Sequence, residues 1–324
     1  MTATTELLET AASRATSPRL RARLSRFGIF LILPILVLIG GAVSSSFLSA
    51  GNVSNLLLQI APLGIVAIGQ TFVMIVRGLD LSVASMMATA AVIATGFSGS
   101  NNDVALIVAA VAGTSICVGL INGFLVAKRG VSPFLATLAT MILLQGFRFA
   151  YTQGAPSGNV PPFFRTLGSG KIDGIPYNCI ILLIVVAFFW MVLQRSAFGR
   201  RIFIVGGNPV TGHLLGIRTD AVTIACYLIS SCLAGAAGLV LSGYVGLVDN
   251  WVGQGYELDS IVACVIGGVS LKGGRGSIAG ALAGAATIMV AANEVLLFGL
   301  PIQVQIILKG VVIVVAAALY AGYT

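Results

Sequence analysis

Long apolar runs separated by short polar stretches make up most of the chain. The runs cover roughly Phe27–Leu48, Leu56–Val76, Leu81–Phe97, Val104–Ala127, Pro133–Ala150, Tyr177–Leu193, Ala221–Leu241, Leu258–Leu271, Ser277–Phe298 and Ile302–Tyr320. An apolar run of about 20 residues spans a bilayer as a helix, whereas a membrane β-barrel shows short alternating segments. The pattern therefore predicts an all-α polytopic membrane protein with about ten transmembrane helices. The run Leu258–Leu271 is too brief to span alone, since its residues rise only about 21 Å as a helix. It is expected to be short, extended into the polar segment before it, or buried among other helices.

Charge orients the spans. Only 9% of residues are charged, against about a quarter in soluble domains, and the formal net charge is +8. In a membrane chain cations mark cytoplasmic loops, so this excess does not point to nucleic acid. With the N-terminus inside and the runs alternating, the inside segments hold Arg14, Arg19, Arg21, Arg23, Arg26, Arg77, Lys128, Arg129, Arg195, Arg200, Arg201, Arg218, Lys272 and Arg275, which is 14 of the 18 Lys plus Arg. Arg148, Arg165 and Lys171 fall outside and Lys309 falls within a span. This asymmetry predicts cytoplasmic N- and C-termini. Residues 1–26 are expected to form a basic cytoplasmic tail, followed by a single transmembrane domain over 27–324 whose longest internal cytoplasmic loop is 194–220.

Catalytic and metal chemistry find little footing. No H-E-x-x-H, G-x-S-x-G or C-x-x-C occurs, and a single histidine, His213, excludes a His-based metal cluster. The five cysteines all lie in or beside apolar runs and read as small buried hydrophobes. The stretch "VIGGVSLKGGRGSIAGALAGAA", Val265–Ala286, invites a phosphate-cradle reading, but Gly-Lys-Ser/Thr is absent, so it is no Walker A loop. It reads as a cytoplasmic hinge: Lys272 and Arg275 anchor it, and Gly273, Gly274 and Gly276 let the backbone reverse. Gly280 and Gly284 then offer a small-residue face to a neighbouring helix.

Polar groups inside spans are costly and usually functional. Gln59, Gln70, Asp80, Ser82, Asn122, Gln145, Asn293, Glu294 and Lys309 are the candidates, with Asp80, Ser82, Asn122, Gln145 and Asn293 placed along a translocation pathway. Asp80 in "RGLDLS" also fits a helix cap or an ion pair with Arg77. Asn122 and Asn293 also fit interhelical hydrogen bonds, and Glu294 with Lys309 fits a pair across neighbouring helices. Phe147, Tyr151, Tyr244 and Trp251 fit an interfacial aromatic belt or a gate. The loop "RSAFGRRIFIVGGNPVTGHLLGIRTDAV" reads as helix, turn and a short helix beginning at Asn208-Pro209, a good cap followed by a first-turn proline, and stopping at Gly216. A motor subunit could grip such a helix; an ordinary basic loop is the plainer alternative.

Four ordered segments carry a resemblance. "RGLDLSVASMMA", "NGFLVAKRGVSPFLATLATM", "FGRRIFIVGGNPVTGHLLGI" and "IGGVSLKGGRGSIAGALAGA" are similar to segments of ABC sugar-importer permeases of the ribose/xylose/galactose branch, and together they span nearly the whole chain from Gly51 on. The resemblance implies a multi-pass subunit of the bacterial cytoplasmic (inner) membrane, pairing with itself or a related permease around a central pathway. A cytoplasmic ABC ATPase holding ATP and Mg would dock on it, and an extracytoplasmic sugar-binding protein would deliver a monosaccharide or related polyol. The chain itself would bind no cofactor. Gly206, Gly207, Asn208, Pro209, His213, Gly216 and Ile217 would form the ATPase-facing element, although His213 and Thr211 depart from the small residues usual there, and Ala84 and Ala139 stand where the family often has glycine. The competing expectation is a secondary transporter driven by an ion gradient, with Asp80, Glu294 and Lys309 as coupling groups.

Overall fold

A computed structural model describes residues 32–156, 158–301, 303–307 and 309–311. The expected basic tail, the start of the first apolar run and the end of the last one lie outside these residues.

Helices dominate. In chain order they are α1 (Ile32–Val43), α2 (Ala50–Ile75), α3 (Ser82–Thr95), α4 (Val104–Ala127), α5 (Pro133–Thr152), α6 (Pro162–Ser169), α7 (Tyr177–Arg195), α8 (Ala197–Gly207), α9 (Pro209–Leu214), α10 (Thr219–Val245), α11 (Tyr256–Ile266) and α12 (Ile278–Leu297). Among the described residues six helices are long and apolar enough to cross a membrane: Ala50–Ile75, Asn101–Ala127, Pro133–Thr152, Tyr177–Arg195, Thr219–Val245 and Ile278–Leu297. One small departure from all-α is a two-stranded hairpin, β1 (Lys171–Ile172) paired antiparallel with β2 (Ile175–Pro176). Its turn is Asp173-Gly174, both at positive φ, the dipeptide that such a tight turn favours.

Local chemistry sets many of the ends. Ser49 and Ser277 cap α2 and α12 by accepting from the amides of Asn52 and Gly280. Pro133 and Pro162 occupy the first turns of α5 and α6, where a missing N–H is harmless. The short apolar run near the C-terminus becomes α11, which gains two residues from the preceding polar segment and stops at Ile266. At about 1.5 Å per residue it covers roughly half of a 30 Å hydrocarbon core. It is thus short, and most of one side is buried against α12 and α2.

The two most buried long helices, α2 and α10, form the centre, and α4, α5 and α7 present apolar side chains outward. Small residues set the close approaches. A Cβ on Gly119 would lie 2.6 Å from Leu228 Cα, and one on Gly123 would lie 2.7 Å from Ile224 Cα, so α4 and α10 meet backbone to backbone. The expected small-residue face of α12 is present as well: a Cβ on Gly280 would lie 2.0 Å from Gly267 O, and one on Gly284 would lie 2.0 Å from Ala263 O. Gly284→Val is therefore expected to separate α11 from α12, lowering the yield of monodisperse protein in detergent several-fold. Unchanged size-exclusion profiles would contradict that packing.

Contacts sort the connections onto two ends of the bundle. Lys128 and Asp220 pair at 2.7 Å, Gly274 N donates to Ile75 O at 2.8 Å, and Arg77 Nε donates to Gly206 O at 2.7 Å. These contacts put the ends of α2 and α4, the α8–α9 segment, the start of α10 and the glycine-rich turn at one end. At the other end, Asn101 Oδ1 accepts from Phe163 N at 2.8 Å. There too Asn250 Nδ2 donates to Thr152 Oγ1 at 2.9 Å and to Gly154 O at 3.1 Å.

Candidate functional site

The connection between α2 and α3, Val76–Leu81, is the centre of the site. It interrupts two buried helices, so its polar groups need partners inside the protein. Asp80 is fully buried. Its Oδ1 accepts from Ser82 N at 3.0 Å and from Ser82 Oγ at 2.5 Å, and its Oδ2 accepts from Ser230 Oγ at 2.8 Å. Gln70, also fully buried, brackets the Asp80 backbone once its amide is oriented to satisfy both atoms: Nε2 donates to Asp80 O and Oε1 accepts from Asp80 N, each at 3.2 Å.

The network runs outward through hydroxyls and amides. Asn122 Nδ2 donates to Ser82 Oγ at 2.9 Å, and Thr140 Oγ1 donates to Asn122 Oδ1 at 2.7 Å. Thr140, Asn122 and Ser82 thus form a directed relay of donors that ends on a carboxylate, which accepts only. It ties α3, α4 and α5 together, and Ser230 adds α10. Of the two plainer readings of Asp80, the helix-start cap is present and the ion pair with Arg77 is not. Arg77 turns instead to the last carbonyls of α8, with Nε on Gly206 O and Nη2 on Gly207 O.

Other sequence candidates lie apart from this network. Asn293 exchanges reciprocal amide hydrogen bonds with Asn52 at 2.9 and 3.0 Å, joining α12 to α2. Gln59 and Gln145 are half-buried on α2 and α5. The expected Glu294–Lys309 pair is corrected: Lys309 Nζ binds Asp259 Oδ2 at 2.7 Å on α11, and the Glu294 carboxyl turns toward Gly40 of α1. The reason is reach: Lys309 lies in the helical residues 303–307 and 309–311, to which α11 presents its acid, while α1 covers Glu294. Among the aromatics, Trp251 packs edge-on against Phe149 at 5.5 Å. Arg148 is buried beside them and donates to Ser85 O at 2.9 Å and Asn250 O at 3.1 Å.

At the cation-rich end, α8 and α9 form a protruding elbow. Asn208 Oδ1 accepts from the amides of Val210 and Thr211, and Pro209 fills the first position of α9. Gly216, at φ +72°, closes it. The expected short helix is present, with Thr219 Oγ1 and His213 Nε2 2.8 Å apart, tying its end to α10. Gly206 faces inward against Ile75 and Gly274, while Gly207, Asn208, His213 and Gly216 face outward. Val210, Leu214 and Leu215 are also exposed, Leu214 at 83%. They stand outside the residues expected to face a partner, although apolar side chains in a basic loop are a signal that the sequence carries. The glycine turn packs beneath: Ser270 N donates to Arg275 O and Gly273 N to Ser270 O, both at 3.0 Å. Lys272 and Arg275 ride on it, and Gly276 packs on Ile75. Among the described residues no group of His, Cys, Asp and Glu is placed to hold a metal.

Six apolar helices long enough to span a bilayer, with a buried polar network at a helix break, mark a multi-pass membrane protein. The family model for the permease component of branched-chain amino acid transport systems matches residues 52–317, and the chain belongs to that family. It is 36% identical over 298 residues to the ribose import permease protein of Bacillus subtilis (strain 168), covering 91% of this chain and 92% of that protein. It is 34% identical over 290 residues to the ribose import permease protein of Escherichia coli (strain K12), covering 88% and 90%. Its identity to the galactose/methyl galactoside import permease protein of that strain is 32% over 311 residues, covering 90% and 93%. No solved structure matches the chain. The protein is thus a transport component rather than an enzyme.

Proposed function

We propose that this chain is the membrane subunit of an ATP-driven importer of a monosaccharide or related polyol, seated in the cytoplasmic membrane of a bacterium. The observation that carries the reading is its likeness to named sugar import permeases over about nine-tenths of its length. ATP and Mg belong to a partner ABC ATPase, and an extracytoplasmic binding protein delivers the sugar. The permease pairs with a second copy or a related chain.

Charge supports an orientation. The end that carries the elbow holds Arg77, Lys128, Arg129, Arg195, Arg200, Arg201, Arg218, Lys272 and Arg275, against Arg165, Lys171 and the buried Arg148 at the other. By the positive-inside rule that end is cytoplasmic. Ten crossings with both termini inside fit the alternation. The elbow then faces the ATPase, with Asn208, Pro209, His213, Gly216 and Ile217 shaping it and Val210, Leu214 and Leu215 entering the partner. Exposed apolar side chains on a short helix suit an apolar groove on a partner. The break at Asp80, Ser82 and Asn122 lies beside the translocation pathway, and Gln145 and Asn293 mark its flanks. The ATPase's closure would move the elbow and reopen access to the other side, a change between states of different affinity for the partners.

Tagged protein purified gently from native membranes tests this. A co-purifying ATPase and binding protein are expected, and Leu214→Glu should reduce ATPase recovery at least about tenfold by placing a charge in an apolar contact. Uptake that persists without ATPase but collapses with an uncoupler would overturn the reading in favour of an ion gradient.

A further inference from the structure

Arg77 is unusual in two ways. Its φ is +68°, a left-handed conformation that glycine adopts freely and a long L side chain resists. Its guanidinium leaves the nearby Asp80 alone and grips the carbonyls of Gly206 and Gly207, the last two residues of α8. Carbonyls at a helix C-terminus lack intrahelical partners and carry partial negative charge, so a guanidinium suits them. The stem of Arg77 fills the space beneath the glycine turn, where a Cβ on Gly273 would lie 2.4 Å from Arg77 Cγ. A residue held in an uncommon backbone state persists when its surroundings fix it, and such residues gather at working sites.

The position of this residue gives the grip meaning. Asn208, the cap of α9, directly follows Gly207. On the other side, Asp80 and its network to α3, α4, α5 and α10 follow Arg77 by three residues. Leu79 O is likewise approached by Tyr227 Oη and Thr137 Oγ1, each at 3.4 Å. We infer that Arg77 is the positioning residue that transmits displacement of the α8–α9 elbow to the α2–α3 break, through its two bonds to the α8 carbonyls. The inference rests on the proposed importer reading, because it requires a motor that moves the elbow.

The test uses the full permease co-purified with its ATPase, with amide hydrogen exchange measured before and after trapping the ATPase with ADP and vanadate. In the wild type, trapping is expected to change exchange both in α9 and across Leu79–Val83. Arg77→Gly removes the side chain with its two bonds and relieves the backbone, so its thermal midpoint should fall only modestly and its ATPase recovery should match the wild type. Its response in α9 should persist, while the response at Leu79–Val83 falls at least about fivefold with the loss of the charge-assisted bonds. Arg77→Lys, with one flexible donor group, should fall between. A wild-type response at Leu79–Val83 in Arg77→Gly overturns the inference, as does a lowered midpoint with both responses lost, which would mark Arg77 as merely structural. Failure of any ATPase to co-purify with the wild type overturns the importer reading and this inference with it.

Discussion

Gly206→Ala is expected to lower the thermal midpoint of the purified protein by about 5–10 °C and to abolish transport. An added Cβ would lie 1.8 Å from Ile75 O and 2.8 Å from Gly274 N. Both are backbone atoms, so no rotamer change can relieve the overlap, and α8 must back away from the end of α2. That movement stretches the bonds from Arg77 to Gly206 O and Gly207 O and disturbs the bond from Gly274 N to Ile75 O. Overpacking of this kind costs about 1–3 kcal/mol. At about 2–4 °C per kcal/mol for a chain of this order of size, a shift of that extent follows. Gly207→Ala is the internal control, because a Cβ there meets nothing within 4 Å. It should fold like the wild type. Equal midpoints for the two variants would contradict the packing of α8 on α2.

The contrast between these adjacent glycines shows what sequence could and could not supply. Asn208, Pro209 and Gly216 announced α9 because capping is local chemistry, decided within a few residues of chain. Long apolar runs announced the spans for the same reason. The partner of Arg77 was not legible in that way. The nearest acid in sequence is Asp80, yet the carbonyls that bind Arg77 lie 129 and 130 residues away. Lys309 likewise chose Asp259 on α11 over Glu294 on α12. A membrane helix that is apolar all round carries no periodic signal for its buried face. On α4 the buried side carries Ser115, Gly119, Asn122 and Gly123 beside Ile107, Val111 and Val118, while Leu106 and Leu120 lie outward. The buried faces therefore depend mostly on contacts between helices distant in sequence, and are legible beforehand only where glycines mark them, as Gly280 and Gly284 do on α12.

Asp80→Leu is expected to yield no folded protein, whereas Asp80→Asn should fold with a modest loss of stability. Leucine would leave Ser82 N–H, Ser82 Oγ–H and Ser230 Oγ–H without their acceptor in a fully buried place. Each unsatisfied buried donor costs about 1–3 kcal/mol, and the three together approach the whole stability of an ordinary domain, about 5–15 kcal/mol. Asparagine keeps one acceptor oxygen for Ser82, and the Ser230 hydroxyl can rotate to accept from the new amide. Monodisperse yield and thermal midpoint in detergent read the difference, and a well-folded Asp80→Leu protein would sink the account of the network. Transport by the folded Asp80→Asn variant then separates two roles. Uptake within about threefold of wild type is expected for a group whose work is to join helices, since the amide preserves most of the hydrogen bonds. A folded variant with no uptake would mean that the negative charge itself is needed, and would return Asp80 to the role of a coupling group.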